Sequence, residues 1–254
     1  MLKSRYEALK KASPPSDIFS PFTFLKFLVI LAGFLFFQPH NSFAQQFKGF
    51  DNRILMNLSA HRTVGTTEFM QFVSNNTHYI SLGIPAALLL TGMLSKEKES
   101  IKNGLYMVKS LAVTTVITYA AKYTLKRKRP YEVNPFITKA GKGGSPSFPS
   151  GHTSEAFSTA TSLLLSYPKW FVVIPAFVWA ATIGYSRMYL GVHYPTDVFA
   201  GALVGSGSAL MTNKINKWIQ AKKKLKKNKD PNNYLGMRLT GTMNSNIVPL
   251  NPSN

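Results

Sequence analysis

Cysteine is absent from the 254-residue chain. Disulfides, thiol catalysis and cysteine-ligated zinc or iron–sulfur centres are therefore excluded. Acidic residues are scarce: 10 Asp and Glu stand against 30 Lys and Arg, a net charge of +20. Such an excess asks for an anionic partner: nucleic acid, anionic lipid or a phosphorylated substrate. Charge of either sign is thin, at 16% of residues, where soluble domains carry about a quarter. Recognised nucleic-acid signatures are missing too. The basic residues instead sit beside apolar segments, where membrane rules place them. Nucleic acid is therefore not expected as a partner, and anionic membrane lipid is. Internal repeats are not visible, and the length suits one domain with tails.

What is present is apolar sequence in blocks. Hydrophobic residues make up 45% of the chain, yet the mean hydropathy is only −0.02. Tails and loops, or helices that pack on one another through polar faces, must supply the balance. Residues 1–44 read as a signal peptide or first membrane anchor. Lys3, Arg5, Lys10 and Lys11 form a positive start, Phe22 to Phe37 is largely apolar, and Ser42-Phe43-Ala44 offers a cleavage site. Residues 45–77 carry Ile54, Leu55, Leu58, Phe69, Phe72 and Val73 at helical spacing, which predicts amphipathic helices.

Five apolar segments follow: Tyr79–Leu94, Leu105–Ala121, Thr153–Tyr167, Trp170–Tyr185 and Asp197–Thr212. Each has 15 to 17 residues, slightly short of the ~20 that span a bilayer. Glu155, Lys109 and several Ser, Thr and Gly interrupt three of them, and small residues such as Gly201 and Gly205 would allow close helix packing. The Lys96–Lys102 loop and the lysine-rich stretch from Lys214 to Lys229 are basic and so belong in the cytoplasm. The start of that stretch has an interfacial face of Ile215, Trp218 and Ile219. The expected tail, 214–254, is basic, and its Asn- and Pro-rich end from residue 230 reads as flexible. One cluster breaks the orientation rule. Lys122, Lys126, Arg127, Lys128 and Arg129 fall on the side the other loops mark as external. Phosphate binding is a reason for cations there.

Three groups of residues carry candidate chemistry, all on that external side. Lys122 is followed by Arg129-Pro130; Arg supplies planar bidentate donors for phosphate and Lys a point charge. Pro130 is expected to end the preceding helix. Pro149-Ser150-Gly151-His152 comes just after the run Gly141-Lys142-Gly143-Gly144 and just before a helix expected at Thr153. The free amides of a helix start attract anions, Gly151 permits close approach, and His152 is a proton donor for a leaving oxygen. Ser186-Arg187, His193 and Asp197 form the third group. A carboxylate at one imidazole nitrogen fixes the tautomer and frees the other nitrogen as a nucleophile.

Together the pattern Lys-x6-Arg-Pro, Pro-Ser-Gly-His and Ser-Arg-x5-His-x3-Asp resembles the three-part signature of the type 2 phosphatidic acid phosphatase superfamily. Every signature position is filled, and the resemblance covers residues 78–213. It implies an all-α helical bundle, polytopic in a membrane, with about 5–6 helices. It also implies a phosphatase acting on a phosphorylated lipid, needing no cofactor and no metal. Lys122, Arg129 and Arg187 would hold the phosphoryl oxygens, with Ser150 and Gly151 donating from their loop. His193 would attack phosphorus, oriented by Asp197, to give a phosphohistidine, and His152 would protonate the leaving group.

Undecaprenyl pyrophosphate, phosphatidylglycerophosphate, phosphatidic acid and lipid A phosphates all suit such a pocket. The expected location is the bacterial inner membrane with the site facing the periplasm. The same superfamily also holds soluble periplasmic acid phosphatases and vanadium-dependent haloperoxidases, and a non-catalytic lipid-binding protein is the remaining alternative. His40, His61 and His78 match nothing in the signature and are expected to be structural or on the surface.

Overall fold

The computed structural model of the protein describes residues 41–229, all of them helix or connecting loop. The expected targeting segment lies almost entirely outside the described residues, as does the end of the tail. The chain divides into two units at Asp51 and Asn52. The helix α1, Asn41–Ala60, runs through that boundary. All that follows concerns the second unit. Its helices are α2 (Val64–Asn75), α3 (Thr77–Leu94), α4 (Lys98–Leu125), α5 (Pro130–Val133), α6 (Gly151–Ser166), α7 (Trp170–Tyr189) and α8 (Pro195–Lys229).

Four of the five apolar segments lie wholly within α3, α4, α7 and α8, which overrun them, and the fifth lies in α6 except for its last residue, Tyr167. The backbone stays helical into polar turns that a hydropathy reading leaves out. Thus α4 takes in most of the basic Lys96–Lys102 stretch, and α7 continues to Tyr189 and carries Arg187 in its last turn. Likewise α8 passes from the bundle into the lysine-rich stretch without a break at residue 213, so the tail begins as helix. Pro130 does not end α4. Lys126, in the left-handed conformation at φ 46°, stops α4 by donating its amide to the Lys122 carbonyl at 2.9 Å. Pro130 then opens α5 at its first position.

The middle of the bundle is α6, which packs against α8, α7, α4 and α3. Its buried residues are small: Thr153, Ser154, Ala156, Ser158, Thr159, Ala160, Thr161 and Ser162. Small side chains let backbones touch. A Cβ on Gly205 of α8 would lie 2.1 Å from the Ser154 carbonyl oxygen, and one on Gly201 would lie 2.7 Å from that of Ser150. Hydroxyls are matched across the seams, Thr114 to Ser158 at 2.9 Å and Thr161 to Ser206 at 3.1 Å. The outward faces are apolar, with Leu82 and Leu90 of α3, Phe171 and Ile174 of α7, and Phe199 and Leu203 of α8 exposed. An exposed apolar surface around a small-residue, hydroxyl-lined interior is what lipid surroundings favour. Among the described residues, three stretches are long and apolar enough to cross a membrane: Val64–Leu94, Lys98–Val133 and Trp170–Tyr189. The first joins α2, expected only as an amphipathic helix, to α3.

Between α6 and α7 lie only Tyr167, Pro168 and Lys169, so the two helices run antiparallel as neighbours. The start of α6 and the end of α7 therefore meet at one end of the bundle. The loop before α8 returns the chain to that same end.

Candidate active site

At this end the chain builds a cavity of about 280 Å³. Lys122, Arg129, Gly151, His152, Arg187 and His193 line it, so all three motif groups converge. Ser150 and Asp197 stand behind the wall. The Ser150 amide donates to the Asp197 carbonyl at 3.0 Å and its hydroxyl pairs with Thr153 at 2.8 Å. Its amide is thus taken by the fold, while its hydroxyl shares a bond with Thr153 in which either can donate, and the residues of this helix start that line the cavity are Gly151 and His152.

The last turn of α7 begins the loop that carries His193. The amides of Val192 and His193 return to the Arg187 carbonyl at 3.2 and 3.3 Å. Gly191 turns the chain there at φ +70°, where a side chain would strike the Thr138 carbonyl at 2.6 Å. Pro195 then starts α8, and Asp197 in its first turn accepts the Tyr194 amide at 2.9 Å. This is a helix-capping contact, and it also aims the carboxylate at His193. Oδ2 of Asp197 lies 3.5 Å from His193 Nδ1, long for a hydrogen bond but close for charge. The carboxylate is otherwise held by the Ser147 hydroxyl at 2.5 Å and the Arg127 guanidinium at 2.6 Å. Arg127 also stacks over Tyr194, 4.0 Å from the ring centre. One of the five clustered cations, Arg127, therefore serves the carboxylate rather than phosphate.

The three cations that line the cavity are gathered by the glycine-rich loop and the two residues after it. Arg187 donates to the Lys142 carbonyl at 2.7 Å, Arg129 to that of Ser145 at 2.8 Å, and Lys122 to that of Pro146 at 2.6 Å. A side chain at Gly143 would meet Arg129 Nη1 at 2.5 Å, which explains a glycine there. Arg129 reaches further, to the Val192 carbonyl at 2.8 Å and to within 3.4 Å of His193 Nε2. Arg187 is anchored from α2 by the Ser74 hydroxyl. Its Nε is buried without a partner among the described residues, a donor left for a ligand. Three positive side chains, each at most 4% exposed, thus surround one imidazole.

Electrostatics follow from burial. His193 is pushed down to about 3, chiefly because no water solvates its cation; Asp197 works against the shift and Arg187 adds to it. His152 falls to about 2 for the same main reason, helped by Arg187, His78 and His193. Burial alone would raise Asp197, but His193, Arg127 and Ser147 together hold it below the usual carboxylate range. At neutral pH both imidazoles are therefore neutral and Asp197 is ionised. Unfolded histidines take up a proton near pH ~6.5, so stability falls as the pH drops from there towards the folded values.

Five residues at or behind the cavity were not singled out for these roles in the sequence: Ser74, Ser147, Arg127, Glu155 and His78. His78 is not merely a surface histidine. Its Nδ1 lies 2.6 Å from Glu155 and its ring centre 4.7 Å from that of His152, and both it and Glu155 line the cavity. The available signal was Glu155, an acid inside an otherwise apolar segment.

The PAP2 superfamily profile matches residues 103–221. An undecaprenyl-diphosphatase from Sulfolobus acidocaldarius is 31% identical over 169 residues, 66% of this chain and 79% of that one. The crystal structure of Aquifex aeolicus LpxE superposes with a TM-score of 0.54 at 28% identity, covering 65% of this chain and 95% of that one. A transmembrane PAP2-type phosphatidylglycerolphosphate phosphatase from Bacillus subtilis has the same fold, with a TM-score of 0.58 at 24% identity over 78% of this chain and 96% of that one. The chain belongs to the PAP2 superfamily. It is a phosphatase of that family, a hydrolase of phosphoric monoesters or diphosphates.

Proposed function

We propose that the chain removes phosphate from a membrane lipid through a phosphohistidine on His193, without a metal ion. The observation that carries this reading is the buried triad of Lys122, Arg129 and Arg187 around a neutral, carboxylate-backed imidazole. Phosphoryl transfer needs positioning and neutralised equatorial oxygens more than covalent assistance, and three cations supply that neutralisation. His193 Nε2 attacks phosphorus, and Asp197 stabilises the charge that develops on the ring. His152 gives its proton to the departing oxygen, then takes one from the water that cleaves the phosphohistidine. A lipid substrate suits the apolar outer faces of α3, α7 and α8. The Sulfolobus relative, an undecaprenyl-diphosphatase, makes an isoprenoid diphosphate the first candidate. Phosphatidylglycerophosphate, phosphatidic acid and lipid A phosphates are the others. The test is phosphate release from each of these by pure protein in detergent containing EDTA. Turnover should persist in EDTA on at least one lipid, and turnover lost in EDTA but restored by Mg²⁺ would sink the mechanism.

Anion binding should carry a proton with it. Since His152 is neutral in the empty cavity and must be charged to act, the occupied site holds more protons than the empty one. Affinity for a dianion therefore rises as pH falls. Sulfate is the clean probe because it does not itself titrate near neutrality. Its inhibition constant should drop by up to about tenfold per pH unit between about pH 8 and 5. A constant that ignores pH would contradict the neutral His152.

A periplasmic site is supported by the charge of the opposite end, where the lysines of α8 gather. Each would gain roughly 1 kcal/mol near anionic lipid. The cysteine-free chain allows a labelling test. Gly144 is exposed with open space for a side chain, and Ala221 is exposed on α8. In intact spheroplasts an impermeant maleimide should label Gly144→Cys and spare Ala221→Cys. The reverse pattern would refute the orientation.

A further inference from the structure

The mechanism above leaves one pair of cavity residues without a task. His78 is the second residue of α3 and Glu155 lies one turn after His152 on α6. They are 77 positions apart, yet the imidazole Nδ1 and the carboxylate Oε2 meet at 2.6 Å. The His78 side chain is 54% exposed, whereas Glu155 is 23% exposed and His152 is likewise half-buried. The two histidine rings lie 4.7 Å apart at an interplanar angle of 49°. The charged and titratable groups facing His78 are Glu155 and His152 on α6 and Arg187 on α7, with Tyr119 of α4 at the same mouth.

The arrangement is an exposed imidazole, its carboxylate partner and, against the first ring, the half-buried imidazole that must gain and lose a proton. A carboxylate on Nδ1 fixes the proton there and leaves Nε2 as the nitrogen that exchanges. The same arrangement recurs at the nucleophile, where Asp197 backs His193.

We propose that His78, held by Glu155, is the proton-exchange station that charges His152 from solvent. The inference rests on His152 being the acid for the leaving group. His78 accepts a proton from water at Nε2, passes it to the neutral His152 ring, and returns to its neutral form bonded to Glu155. His152 then protonates the leaving oxygen. When product departs and His152 discharges, the proton leaves by the reverse route. No bond other than N–H and O–H changes, and no redox partner is needed. The other groups that act on the charge of His152, namely Arg187, Arg129 and His193, are all buried and so poorly placed to exchange protons with solvent. His78 is thus a positioning and relay residue, not one that touches phosphorus.

The tie between α3 and α6 would also be broken by removing His78, so the test must separate relay from packing. His78→Ala and Glu155→Gln are assayed with a lipid phosphate, whose alkyl leaving group needs a proton, and with an aryl phosphate, whose leaving group does not. The expected result for His78→Ala is about a tenfold fall in kcat on the lipid, little change in KM, and near-normal kcat on the aryl phosphate. Imidazole buffer at millimolar concentration should restore much of the lost kcat while leaving wild type unchanged. Glu155→Gln should lose less, since the exchanging ring remains, and imidazole should help it less. An equal loss on both substrates, unmoved by imidazole, would reduce the pair to a structural tie. Full activity of His78→Ala on the lipid would remove the relay altogether. Neither outcome touches the nucleophile, whose failure would show instead as turnover surviving in His193→Ala.

Discussion

His193→Ala should abolish turnover on every substrate, by at least about 10⁴-fold in kcat, because no other group takes its place as nucleophile. The ring is buried at 1% exposure, and its Nε2 lies 3.4 Å from Arg129. Removal leaves a small gap among cations and does not unfold the loop, which is held by main-chain bonds to Arg187. His152→Ala should behave differently. Its loss is about 10²–10⁴-fold with an alkyl leaving group and shrinks as the leaving group becomes more acidic. A series of aryl phosphates of graded acidity against a lipid phosphate makes the comparison. Equal residual activity in both variants across that series would deny the separate roles.

Asp197→Asn should come next in size, with kcat reduced by roughly 10²–10⁴-fold. Asp197 is fully buried. It accepts from Ser147, Arg127 and the Tyr194 amide while facing His193. An asparagine offers one acceptor oxygen and one donor amide to a set of neighbours that are donors. Whichever way it turns, one of them meets N–H against N–H or O–H, and the imidazolium loses its counter-charge. Because the same carboxylate caps α8, the variant should also melt at a lower temperature. Kinetics taken well below the new melting point separate the two effects. A variant that melts lower yet retains wild-type kcat would show that Asp197 is only a cap.

The reach of the sequence is clear from particular residues. Apolar blocks mark where helices lie, since burial or lipid exposure demands them. They do not mark where helices stop, because the peptide hydrogen bonds of α4 and α7 continue through polar turns that carry Lys122 and Arg187. Pro130 was expected to stop α4; Lys126 stops it, in a left-handed conformation that no residue preference announces for lysine. The motif residues are legible because phosphate chemistry restricts which side chains occupy them. The layer behind them is not. Arg187 finds Ser74 at a separation of 113 residues and Arg127 finds Asp197 at 70. Such pairs are products of helix packing, with no local period to betray them. Ser150 illustrates the converse: its place in the motif marks it as a phosphate donor, while the fold engages its amide in joining the starts of α6 and α8 and pairs its hydroxyl with Thr153.

The most direct measurement is to trap the intermediate. Protein mixed briefly with substrate carrying ³²P at the scissile phosphate, then quenched in alkali, should retain label that is stable to base and lost in acid, as expected of a phosphoramidate. Peptide mapping should place it on His193, and with an aryl phosphate, whose leaving group needs no proton, the label should build up in His152→Ala, where hydrolysis of the intermediate lacks its base. Label on a serine or carboxylate, or turnover with none on the protein at any quench time, would contradict the account.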